Sequence, residues 1–272
     1  MAGNANGANG DSCFKMCLSA AIEGIFPGEK MDFLSNEQIQ AIQSFFFGND
    51  TFVSLPTGHG KSLIFQLVVP IAKKMFELGK HDYTNCHQSR PVPAHPVVLV
   101  IAPLNSLIAD QIESCKKKQM TACKLDDLPL SDDNCLCGAT AGPAGAKFVE
   151  YDFIFTSPET LEQKLNVLSR IENQLLGVVV DESHCVINWG TAPNEKSPFR
   201  SSYSRVGNLR ALVNVPILCL TATASSTTRK SIIKCLNMTN TKVIQLSPDK
   251  ENMKYIVNKA HGEEIEETLS TG

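Results

Sequence analysis

Thr51-Phe52-Val53-Ser54-Leu55-Pro56-Thr57-Gly58-His59-Gly60-Lys61-Ser62 is the stretch on which the fold turns. An apolar run short enough for a buried strand leads into a glycine-bearing loop. Lys61-Ser62 then opens the apolar helical run Leu63–Val69. Gly58 and Gly60 let the backbone curl until successive N–H groups face inward as an anion nest. The positive end of the following helix dipole faces the same spot. Lys61 is placed to reach the β- and γ-phosphates of a nucleoside triphosphate, and the Ser62 hydroxyl to ligate Mg²⁺. Leu55 stands where the strict GxxxxGK[ST] pattern has its first glycine, so the strand-before, helix-after context carries the reading of Pro56, Thr57, Gly58, His59, Gly60, Lys61 and Ser62 as a phosphate loop. Within it His59 reads as a solvent-facing residue.

Working outward, further strand-like runs are expected at Val97–Ala102, Phe153–Thr156, Val178–Val180, Ile217–Leu220 and Val243–Leu246. Most are unbroken Val/Ile/Leu stretches, the pattern of strands covered on both faces of a parallel sheet. Helical patterns fall between them at Glu37–Phe46, Lys61–Phe76, Ser106–Lys117, Pro158–Leu175 and Thr227–Leu236, with Ser35 or Asn36 and Ser225 or Ser226 as N-caps. Alternating strands and helices imply right-handed βαβ units, hence a doubly wound α/β domain with a mostly parallel sheet flanked by helices. Residues 1–12, rich in Gly, Asn and Ala, read as a disordered tail, and 13–30 as a helical segment centred on Phe14–Ile25 and ended by Pro27-Gly28. Gly79–Pro96 and Asp126–Lys147 read as surface insertions.

The composition agrees. The chain has 272 residues, 43% of them apolar, and a formal charge of −3, which leaves room for a large globular core and excludes a generally basic nucleic-acid binder but not a local basic groove. No apolar run of about 18 residues is present, so no membrane partner is expected, and the first residues lack the pattern of a signal peptide. The ten cysteines form no paired zinc pattern and read as packed thiols; no zinc is expected.

A second chemical signal lies about 120 positions beyond the loop. Val178-Val179-Val180-Asp181-Glu182-Ser183-His184 is a buried strand ending in two carboxylates. Alone it is as well explained by an acidic turn. In a parallel sheet holding a phosphate loop, its end reaches the same edge, where ligands bind. Asp181 is then placed to hold Mg²⁺ through water and Glu182 to polarise the attacking water. A nucleoside triphosphate with Mg²⁺ is therefore the expected ligand.

The DESH box, preceded by PTGHGKS, resembles that of the superfamily-two helicases. Other segments are similar to that family's motifs and arrive in its order. Leu34-Ser35-Asn36-Glu37-Gln38 resembles the adenine-reading glutamine motif, with Gln38 the reader. Ala102–Leu107 with Asp110-Gln111, and Thr156–Leu161, resemble the two strand-contacting motifs; Leu220-Thr221-Ala222-Thr223-Ala224 resembles the segment coupling hydrolysis to movement. Cys185–Gly190 with Pro198-Phe199-Arg200 and Tyr203 is similar to the aromatic-rich loop of the RecQ branch, and Pro248–Tyr255 to the end of its first motor lobe. The resemblance implies a RecA-like P-loop NTPase lobe over 31–257, followed at 258–272 by a linker toward a second RecA-like lobe in cis. It implies ATP-driven 3′ to 5′ movement on DNA, single-stranded or forked, in repair and recombination, and a nuclear location.

This sequence departs from the family at Leu34-Ser35, where Phe-Arg is usual, at Thr160, and at Lys250-Glu251. Residues 191–197 lengthen the aromatic loop. The chain stops near Gly272, where the second lobe is expected to begin, together with its arginine finger, zinc module and winged helix.

For DNA, Ser106 and Thr156 sit at strand-to-helix turns from which a hydroxyl can donate to backbone phosphate. Trp189, Phe199 and Arg200 form a stacking and phosphate-contacting set, the alternative being that Trp189 only packs its loop against the sheet. His184, Thr221 and Thr223 complete the coupling residues on the resemblance. Lys116-Lys117-Lys118 reads as a solvated helix end. Two readings stand beside the DNA helicase: a motor-less ATP-dependent nucleic-acid-binding protein, and an RNA helicase lobe.

Overall fold

A computed structural model gives the fold and describes residues 5–79, 91–128, 151–188 and 206–247. Its sheet has seven strands, all paired in parallel: β1 (Thr51–Ser54), β2 (Val97–Ile101), β3 (Ala122–Lys124), β4 (Phe153–Thr156), β5 (Leu175–Val180), β6 (Ile217–Thr221) and β7 (Lys242–Gln245). Their spatial order is β3-β4-β2-β5-β6-β1-β7. The chain leaves β1 near one edge and re-enters at β2 on the other side of β5 and β6, so the strand order reverses between them. That is where ligands of such sheets bind.

The helices are α1 (Ala5–Ile25), α2 (Asn36–Phe46), α3 (Lys61–Gln66), α4 (Val68–Glu77), α5 (Asn105–Lys117), α6 (Pro158–Gln163), α7 (Asn166–Ile171), α8 (Cys185–Asn188) and α9 (Ser226–Cys235). Successive strand residues feed opposite cores, as the pleat requires. Val98 and Val100 join Phe14, Leu18, Ile42, Phe65 and Ile71 on the face carrying α1 to α5. Leu99 and Ile101 join Leu161, Leu168, Leu209 and Ile232 on the other. The doubly wound, parallel arrangement read from the runs is the one observed.

Several elements differ from the sequence reading. Helix α1 starts at Ala5, so the 1–12 tail expected to be disordered is helical over its described part. Docking of Phe14, Cys17, Leu18 and Ile22 nucleates the helix, propagation upstream adds a hydrogen bond per residue, and Asp11 accepts from Gln43 Nε2 at 2.9 Å. The helix expected over Lys61–Phe76 breaks at Leu67, because Pro70 has no N–H for the Gln66 carbonyl. The pattern over Pro158–Leu175 divides into α6 and α7, and its end belongs to β5. There Gly177 is needed: a Cβ would lie 2.4 Å from the Phe45 ring and 3.0 Å from the Pro216 carbonyl. Strand β3, too short to show as an apolar run, has no counterpart in the sequence reading.

The edge away from the loop is fastened by Asp50, which is 3% exposed. Its carboxylate takes Arg210 Nη2 on both oxygens at 2.6 Å, with the N–H groups of Ile217 (2.8 Å) and Thr239 (2.6 Å). One side chain thus ties β6 and the segment before β7 to the start of β1.

Candidate nucleotide and nucleic-acid site

The phosphate loop leaves β1 and the acidic pair leaves β5, with β6 between them, so both emerge on one sheet edge. Backbone bonds lock the three turns together: Leu55 N–H to the Thr221 carbonyl at 3.1 Å and Ser183 N–H to the Leu220 carbonyl at 2.8 Å. In the loop, Gly58 and Gly60 have φ of 86° and 61°, the left-handed region where glycine is unstrained. Thr57, Gly58 and His59 are exposed, Pro56 is buried, and Lys61 and Ser62 open α3 half-buried. Lys61 Nζ donates back to the carbonyls of Leu55 (3.1 Å) and Pro56 (3.4 Å), which holds the ammonium over its own loop.

Gln38 occupies a place that the adenine-reading role does not require. Its Oε1 accepts from Ser35 N–H at 2.8 Å while Ser35 Oγ accepts from Gln38 N–H, a capping box that makes Ser35, not Asn36, the N-cap of α2. Its Nε2 donates to the carbonyls of His59 (3.0 Å) and Gly60 (3.2 Å). Both donor hydrogens of the amide thus hold the phosphate loop, and a Cβ on residue 60 would fall 2.7 Å from Nε2. Gln38 is a brace between α2 and the loop.

Asp181 is largely withdrawn from water. Loss of water pushes its carboxyl up from 3.8 to about 6; the bond from Glu182 N–H opposes this, the Glu182 charge adds to it, and Lys61 and His184 oppose it. A divalent ion would remove that strain by stabilising the charged form. Among the described residues no group of three or more His, Cys, Asp or Glu side chains could hold a metal. Magnesium fits what is present, because it accepts one carboxylate and a hydroxyl alongside phosphate oxygens and water. Ser62 would be its protein donor, and Asp181 would hold it through a bound water.

Glu182 has φ 45°, an uncommon backbone for a residue with a side chain, of the kind found where a site fixes direction. Its Oε2 lies 3.3 Å from His184 Nδ1, which lies 3.1 Å from Thr221 Oγ1; the Thr221 hydroxyl donates to the Thr223 carbonyl at 3.2 Å. With the Thr221 proton so placed, an Nδ1-protonated imidazole shares its one N–H between Thr221 Oγ1 and Glu182 Oε2. A cavity of about 420 Å³ opens beside this chain, lined by Ser54, His184, Thr223, Ser225, Thr228 and Gln245.

On the proposed nucleic-acid side, Ser106 is exposed in the first turn of α5, free to meet a phosphate. Thr156 is not: it is 2% exposed and its hydroxyl donates to the Ser157 carbonyl at 3.0 Å. Strand β4 is covered on both faces, so residue 156 at its end is buried too, which the motif alone does not reveal. Trp189, Phe199 and Arg200 lie outside the described residues, as does the 258–272 linker. Lys118 corrects the reading of its lysine run. It turns inward to Gln66 Oε1 and Ser114 Oγ, 5.7 Å from the Phe26 ring centre, and loss of water lowers its pKa, while Lys116 and Lys117 stay exposed.

Sequence reasoning also misses the contact of Gln111, whose Nε2 donates to Ser62 Oγ at 3.0 Å across 49 positions. Burial raises the Cys115 and Cys185 thiols to about 11, as suits packed, unreactive sulfur.

Comparison with known proteins follows the same lines. Residues 35–232 match the family model described as DEAD/DEAH box helicase. Similar curated proteins include the RecQ-like DNA helicase BLM of Xenopus laevis, 31% identical over 81% of this chain, and the ATP-dependent helicase SGS1 of Saccharomyces cerevisiae, 31% identical over 82%. The ATP-dependent DNA helicase RecQ of Synechocystis is 26% identical over 79%. The chain spans 14%, 14% and 40% of those proteins' lengths. Among solved structures, the DUF1998 helicase MrfA bound to DNA aligns with 84% of this chain, and this chain with 27% of it, at a TM-score of 0.55 and 15% identity, a likeness of fold. No helix among the described residues is long and apolar enough to cross a membrane.

Proposed function

The chain belongs to the DEAD/DEAH box helicase family, with RecQ helicases among its relatives, and on that premise we propose that it is the ATP-binding and hydrolysing lobe of a 3′ to 5′ DNA helicase. The supporting observation is the common sheet edge shared by the Lys61 loop and the Asp181–Glu182 pair, on either side of β6.

In this reading Pro56 to Ser62 wrap the triphosphate and Lys61 turns from its loop carbonyls to the β- and γ-oxygens. Ser62 and, through water, Asp181 would hold magnesium, which when bound neutralises phosphate charge. Glu182 accepts the proton of the attacking water, held in direction by its left-handed backbone. His184, Thr221 and Thr223 carry the change at Glu182 toward the cavity beside β6. Ser106 meets the DNA phosphates, with Trp189, Phe199 and Arg200 as stacking and phosphate contacts. A second RecA-like lobe would supply an arginine to the transition state, a contribution of about 10³–10⁵ in rate in related phosphoryl transfer. Nuclear location and a role in repair belong to the same proposal.

The test is phosphate release by the full chain with single-stranded DNA, single-stranded RNA, or neither. DNA stimulation that disappears in Lys61→Ala and Glu182→Gln supports the reading. Equal stimulation by RNA would favour an RNA helicase lobe, and nucleotide binding without DNA-stimulated release a binding protein.

A further inference from the structure

A directional chain of hydrogen bonds reaches the Ser62 hydroxyl from behind, and it begins at a group that can only donate. Lys118 Nζ donates to Gln66 Oε1. An ammonium has no acceptor, so the oxygen of the Gln66 amide must face it. Gln66 is 1% exposed, which leaves its Nε2 to donate to Gln111 Oε1 at 3.4 Å. Gln111 is then oriented too, and its Nε2 donates to Ser62 Oγ at 3.0 Å. The polarity of every link follows from the lysine at the far end. Ser62 is left with its own O–H and one lone pair for other partners.

We infer that Gln111 is a positioning residue for the metal: it fixes the rotation of the Ser62 hydroxyl so that the remaining lone pair serves the magnesium of a bound nucleoside triphosphate. The inference rests on the reading of Ser62 as a magnesium donor. Gln111 touches neither nucleotide nor metal and acts through Ser62 alone. Groups behind a metal ligand that hold its orientation typically change metal affinity by about 10–100-fold when removed.

The experiment uses the full chain and equilibrium binding of a fluorescent ATP analogue, titrated with MgCl₂ and repeated in EDTA. Gln111→Met, close in volume, is expected to raise the magnesium midpoint about 10-fold. It should leave metal-free nucleotide affinity near wild type and lower the urea midpoint only modestly, since buried Gln66 Nε2 loses an acceptor. Ser62→Ala should raise the magnesium midpoint at least as far, and adding Gln111→Met to it should change nothing more. An unshifted midpoint in Gln111→Met, or a further loss in the Ser62→Ala background, overturns the proposal. If Gln111→Met fails to fold, Lys118→Met removes the source of polarity; a smaller shift in the same direction, absent without Ser62, supports the inference, and no shift overturns it. A wild-type chain that binds nucleotide equally with and without magnesium removes Ser62 as a donor and the inference with it.

Discussion

Replacing Asp181 by Asn should make the ligand-free protein more stable while removing its use for metal. The folded carboxyl sits at about 6 against 3.8 for the free group, chiefly because it is withdrawn from water. A tenfold change in proton affinity is worth about 1.4 kcal/mol, so the ionised form costs the fold about 3 kcal/mol at pH 7. Asn keeps the bond from Glu182 N–H but brings an amide that itself needs partners, which offsets about 1–2 kcal/mol. The net gain expected is about 1–2 kcal/mol, or about 3–6 °C in melting temperature for a domain of this size. Because the folded-state value is raised, the penalty is full above about pH 6 and vanishes below 3.8. At pH 5 the penalty falls to about half, so most of the advantage of Asp181→Asn should be gone there. Urea unfolding in EDTA at pH 7 and pH 5 measures both. A variant less stable than wild type at pH 7, or a gain equal at the two pH values, would refute the reasoning.

Three further outcomes are expected. Asp50→Ala leaves Arg210 and two backbone N–H groups without their acceptor, and should cost about 3–5 kcal/mol by urea unfolding while leaving nucleotide affinity of the folded molecules unchanged. Gln38→Ala releases the His59 and Gly60 carbonyls and should weaken ATP and GTP alike, by about 30-fold for two lost hydrogen bonds of about 1 kcal/mol each; loss confined to ATP would show Gln38 reading adenine. Ser183 Oγ is buried without a partner, so Ser183→Ala should be neutral or stabilise by up to about 1 kcal/mol in thermal unfolding, and a loss above that would reveal a partner.

What can be read without coordinates follows physical range. The strands are visible because burial on both faces demands unbroken runs such as Val97–Ile101. Strand β3 escapes because Ala122-Cys123-Lys124 is too short to make one. Leu175, at the end of a helical pattern, opens a strand instead, since an apolar pair before Gly177 has no period of its own. The phosphate loop and acidic pair are legible as local chemistry, and parallel topology alone brings them to one edge. Side-chain direction is not legible. Thr156 and Ser106 occupy similar turns, yet only Ser106 faces outward. Contacts across distance are invisible too: Asp50 with Arg210 over 160 positions, Gln111 with Ser62 over 49, and the inward turn of Lys118 among three successive lysines.

The central claim is that the loop at Lys61 and the carboxylates at 181–182 serve one magnesium–triphosphate. Isothermal titration of ATP into wild-type, Ser62→Ala, Asp181→Asn and doubly substituted chains, with and without magnesium, tests it directly. The account predicts that magnesium tightens binding to wild type, that either substitution abolishes the tightening, and that the double variant is no worse than the single ones. Full retention of the magnesium effect in Asp181→Asn, or strictly additive losses, would contradict it.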